Sequence, residues 1–154
     1  MSNSFSATIS NWAKMTERAI AAVFKEAAQD LAIELNNEVK RQVYDRPPAP
    51  TYPKRSGFLR ASLVASTEKM PELVRDNPGG DFSEDAHMPA VLLTIQGMDG
   101  DNDVLYLGYT SRYAAYVHYG ANGAPPAPWV TLVAQRWQEL VTKAAERVKR
   151  QYGL

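Results

Sequence analysis

The side chains best suited to chemistry in this 154-residue sequence are few. Its two histidines are His87, in an acidic stretch, and His118, in the run YVHYG. Neither has a second His or a Cys at metal-ligand spacing, so a zinc site is not expected. There is no cysteine at all, which removes disulfides, thiolate metal sites and thiol nucleophiles. Asp99, Asp101 and Asp103 resemble the opening of a calcium loop. Such a loop needs Gly at its sixth position and Glu at its twelfth, and here those positions hold Val104 and Thr110, so DGDND reads as a turn. No G-x-S-x-G, phosphate-cradling glycine loop or dinucleotide fingerprint occurs. The expectation is a protein without catalytic residues, metal or cofactor. The one enzymatic version left open is a small hydrolase or nuclease that uses His118 with nearby acids.

Aromatic residues are the more unusual feature. Five of the eight tyrosines lie between Tyr106 and Tyr119, and Pro125-Pro126-Ala127-Pro128-Trp129 follows them. Two readings stand side by side. The rings pack within the fold, against a hairpin and the last helix, or they form an interface, because Tyr, Trp and Arg dominate binding hot spots.

The elements that must position these residues begin with a helix. The first 46 residues contain neither Gly nor Pro. Ser10 is a candidate N-cap, which leaves residues 1–10 as an arm and 11–43 as helix. Ile20, Phe24, Ala27, Leu31 and Leu35 give it an apolar stripe. Such a helix is about 50 Å long, whereas a compact domain of this size is only about 40 Å across. It therefore kinks, near Asn36-Asn37, or carries its surplus to another subunit.

Four prolines between Pro47 and Pro53 mark an extended connection. Ser56 then caps a short helix that turns Phe58, Leu59 and Leu63 inward and Arg55 and Arg60 outward. A strand begins in 62–67, and 70–88 reads as an acidic loop or insertion around Pro78-Gly79-Gly80. The β-branched, apolar run at 89–97 and the run at 104–110 are expected to pair as a β-hairpin across the DGDND turn. Ser111 caps another short helix that ends at Gly120. Pro128 opens a final helix over 128–152, whose stripe includes Val133, Trp137, Ala144 and Val148. The expected fold is α+β in a single domain: a long N-terminal helix, a small antiparallel sheet, short helices, and a C-terminal helix on the sheet.

Formal net charge is zero, from seventeen basic and seventeen acidic residues, which argues against a dedicated nucleic-acid binder. No apolar run reaches membrane-spanning length, and no signal peptide is evident at the N-terminus. Resolved along the chain, the zero divides. Residues 1–46 are neutral, 47–80 carry +2, 81–103 carry −6 and 104–154 carry +4.

Three segments, RSGFLRASL, YAAYVHYG and PPAPWVTLVAQ, occur in this order. Together they make the chain resemble the head–tail joining, or tail-completion, proteins of long-tailed bacteriophages. The matching residues are Ser56, Gly57, Leu59, Arg60 and Ser62; Tyr113, Ala114, Val117 and Gly120; and Pro125, Pro126, Pro128 and Trp129. The resemblance covers about residues 54–140. His118 departs from it, standing where Glu is common, and the acidic stretch at 76–88 has no counterpart.

The resemblance implies a structural ring of six or twelve subunits in the virion neck, assembled in the host cytoplasm. Its partners would be other neck, portal-adaptor or tail-tube proteins, with genomic DNA passing through unread and no membrane involved. A tail terminator that caps the tail tube is the near alternative. A ring joins two different faces of each subunit, and a chain divided into acidic and basic blocks suits such edges. On this basis Arg55, Gly57, Leu59, Arg60, Tyr109, Tyr113, Tyr116, His118, Tyr119, Pro126 and Trp129 are expected at subunit or partner contacts. Asp81, Glu84, Asp85, Asp99, Asp101 and Asp103 are expected to face a neighbour or the channel.

Overall fold

The fold comes from a computed structural model that describes residues 5–45, 56–82, 85–99, 103–121 and 123–154. Helix α1 (Phe5–Val39) continues into a π-helical turn, Lys40–Tyr44. After it come α2 (Phe58–Ala61), β1 (Leu63–Ser66), α3 (Met88–Gln96), β2 (Tyr106–Tyr109), α4 (Ala114–Tyr119), α5 (Trp129–Ala134) and α6 (Trp137–Tyr152). The architecture is mixed α+β. A long N-terminal helix, a two-stranded antiparallel sheet, short helices and a C-terminal helix pack together.

With no Gly or Pro to stop it, α1 starts before the expected boundary, so Ser10 lies inside the helix instead of capping it. The helix also runs unbroken through Asn36 and Asn37. It ends in the widened turn, where the Asp45 N–H donates to the Lys40 carbonyl at 2.9 Å. At 35 residues α1 is about 52 Å long. Its middle and C-terminal parts supply Ala28, Ala32, Leu35 and Val39 to the core, beside Leu59, Leu63, Val91, Ile95, Trp129 and Val133.

The expected hairpin over 89–110 does not form. Residues 88–96 are helix, and β2 pairs instead with β1, matching Leu63 to Tyr109 and Ser66 to Tyr106. A strand would bury Val91, Leu93 and Ile95 on one face. Here Val91 and Ile95 are buried one helical turn apart, while Leu93 is 69% exposed. Pro89, in the first turn, fits a helix start because it needs no N–H there. A short apolar run does not distinguish the two states by itself. The strand expected in 62–67 and the one expected in 104–110 are both present, as β1 and β2.

The last helix is also not continuous. It breaks at Gln135 and Arg136, where the Arg136 N–H donates to the Val133 carbonyl in a tightened turn. The C-terminal helix packs against the rest of the fold, chiefly along α1. The proline-rich stretch at 47–53, with Arg55, Glu84 and Asp101, lies outside the described residues.

Candidate assembly surfaces

The sequence-expected contact residues divide into a buried group and an exposed one. Trp129 is fully buried, with Tyr109 edge-on at 5.2 Å and His118 at 5.3 Å between ring centroids. The Tyr109 hydroxyl donates to the Leu35 carbonyl at 3.2 Å, and burial pushes its pKa far up. Leu59 and Gly57 are buried as well, and Tyr113 is half-buried near Phe58. These residues hold the subunit together. Tyr116, Tyr119 and Pro126 stand at the surface, so the aromatic stretch serves both readings at different positions.

His118 is buried among Trp129, Tyr119 and Thr131. Its Nε2 accepts a long hydrogen bond, 3.4 Å, from the Thr131 N–H, and burial lowers its pKa. The arrangement suits a neutral imidazole in an aromatic wall.

Arg60 is not outward. It is 8% exposed, and its guanidinium donates to the Phe82 carbonyl at 3.2 Å and approaches Asp85 at 3.6 Å. Asn36 of α1 joins from below, donating to Asp85 at 3.2 Å and contacting His87 Nε2 at 2.9 Å. Phe82 adds an edge-on contact with Phe58 at 5.4 Å. Arg60 therefore fastens part of the acidic stretch onto the core, and replacing it would disturb the fold before any contact. Farther along the chain, Asp103 accepts the Asp99 N–H at 2.7 Å.

The basic block is matched largely within the subunit. Arg147 binds Glu26 at 2.9 Å and Asp30 at 2.6 Å, and Lys143 binds Glu139 at 2.8 Å. Arg136 binds Glu34 at 2.8 Å and Glu38 at 3.2 Å. Glu38 also accepts from Arg41 and Gln42. Burial alone would raise the Glu38 pKa, but these donors and the two guanidinium charges outweigh it and hold it below the usual carboxylate value. The pairs also show that α6 runs antiparallel to α1.

Among the described residues, the uncovered apolar surfaces include two on or beside α1. The first is the start of α1, where Ile9 is 50% exposed and Trp12 61%, with Met15 and Ile20 also exposed. Among the described α1 side chains the first buried one is Ala19, so residues 6–18 project about 20 Å beyond the packed body. The second is a groove of about 440 Å³ between α1, β2 and α5. Its walls include Phe24, Leu31, Leu107, Val130 and Trp137, and Asp103 stands at its edge. Neither Ile9 nor Trp12 belongs to the sequence-expected set. The signal available for them was an apolar pair at spacing three, at the front of a helix too long for its domain.

Compared with protein-family models, curated proteins and solved structures, the chain matches none. Among the described residues, no group of three or more His, Cys, Asp or Glu side chains is placed to hold a metal ion, and no helix is long and apolar enough to cross a membrane.

Proposed function

We propose that the protein is a structural subunit of a bacteriophage neck, forming a ring that joins the DNA-filled head to the tail. The observation that carries this reading is the overhang of α1. A helix that leaves Ile9, Trp12 and Met15 in water is poorly suited to a monomer. It is well suited to a subunit that gives one face to a neighbour and takes another. The ordered motifs RSGFLRASL, YAAYVHYG and PPAPWVTLVAQ support the same reading through their likeness to tail-completion proteins. The glycine that ends the second motif also has a structural task here, since Gly120 takes a positive φ against the Ala124 carbonyl. DNA would be conducted and not gripped, in keeping with zero net charge and a basic block largely paired inside the subunit.

Electron microscopy of particles assembled without the protein tests this. Full heads beside separate tails of normal length are the expected result. Over-long tails would assign it to tail termination instead, and intact joined particles would overturn the neck reading.

A further inference from the structure

We propose that the α1 overhang of one subunit lies in the apolar groove between α1, β2 and α5 of the next copy. This rests on the ring reading and names the contact that builds the ring. Each surface lacks what the other offers. The overhang presents Ile9 and Trp12, and the turn that follows it adds the exposed Ile20 on the same side of the helix, at spacings of three and eight residues. The groove presents an almost wholly apolar lining, with Val104 and Val130 substantially exposed at its edge.

An overhang seated in this groove has to come from another chain. Because α1 is continuous from Phe5 to Val39, and its own Phe24, Leu31 and Leu35 form one wall of the groove, the overhang cannot fold back into it. A second copy carries the amphipathic helix that an apolar groove accepts. Long-range charge agrees. Lys14, Glu17 and Arg18 give the overhang a net +1, whereas the groove's lining includes the acidic Asp103.

Area agrees as well. A buried Trp contributes about 150–250 Å², and stable interfaces need about 800 Å² from each partner. Trp12 with Ile9, Met15 and Ile20 supplies a good part of that, and every subunit in a ring makes the contact twice, once as donor and once as acceptor. The two surfaces do not overlap, so the contact is heterologous and closes as a ring or extends as a filament.

Native mass spectrometry of the full chain, with Trp12→Asp and Val130→Asp variants, tests the contact. Both positions are exposed, and circular dichroism checks that each variant keeps its helices. Wild type is expected to assemble, and each variant alone to fall to the mass of one chain. Mixing the two is expected to give a one-to-one dimer and nothing larger, because W12D keeps its groove and V130D keeps its overhang. A monomeric wild type, variants that assemble like wild type, or a mixture that stays monomeric would each overturn the docking. The neck reading stands or falls separately, on the particle images.

Discussion

Arg136, in the turn between α5 and α6, places its Nη2 3.2 Å from Oε2 of Glu38, a carboxylate only 4% exposed. The contact sits at the point where the C-terminal helix breaks without Pro or Gly. The tightened turn at Gln135 and Arg136 brings the guanidinium over the end of α1, where Glu34 and Glu38 are waiting. Removing one member of a buried pair leaves the other short of partners. Arg136→Ala is expected to destabilise the fold by about 1–3 kcal/mol, less than a full buried-pair loss because Arg41 remains on Glu38. Urea denaturation measures it.

Glu38 is also an acid-sensitive tether. Its folded pKa lies below the ordinary carboxylate value, so its stabilisation is present above that value and is lost as pH falls through the lower, folded one. Glu38→Gln should therefore be less stable than wild type at neutral pH. The gap should narrow as the medium is acidified below about pH 4. A gap independent of pH would remove the charge of Glu38 from the account.

The two histidines act in a milder range. Burial comes first among the causes that lower His118, and likewise for His87, where Asp85 opposes the shift and Arg60 adds to it. The unfolded chain then binds protons that the folded chain resists, so stability rises with pH between the folded values and the unfolded one. Wild type should lose stability as pH drops from about 7 to 5. His118→Asn should flatten part of that slope, as read from thermal melts across the range.

Trp129 joins Tyr109 and His118 in the core and is fully buried. Trp129→Ala should cost about 3–5 kcal/mol through the cavity it leaves. Calorimetry should show a lower midpoint. Tyr116→Ala, at an exposed ring of the same aromatic stretch, should change stability by no more than about 0.5 kcal/mol.

Gly120 sits at φ +81°, and an added Cβ would meet the Ala124 carbonyl oxygen at 2.9 Å and the Pro126 nitrogen at 3.0 Å. Gly120→Ala is expected to cost about 1–3 kcal/mol from backbone strain and the close approach together. Gly123, also at positive φ but with open space around it, should tolerate Ala at a lower cost, a comparison that chemical denaturation makes directly.

By itself the sequence determined the local periodicities and their consequences. A Gly- and Pro-free stretch with an apolar stripe had to be a helix, and its length left a kink or an overhang as the two outcomes, of which the unbroken run through Asn36 and Asn37 leaves the overhang. The strands at β1 and β2, the short helix before Gly120 and the broad extent of the last helix followed from the same local signals. Tertiary structure decided what local signals leave degenerate. The run MPAVLLTIQ suits a strand or a helix, and packing Val91 and Ile95 on the core chose the helix, which left β2 to find β1. Arg60 looked like a surface cation until the Phe82 carbonyl and Asp85, from a loop some twenty residues on, gave it buried partners. The charge blocks were real in the sequence, but which acids met which bases depended on laying α6 antiparallel along α1. Periodicity is set by bonds a few residues apart, whereas burial and pairing depend on neighbours that only the folded chain brings together.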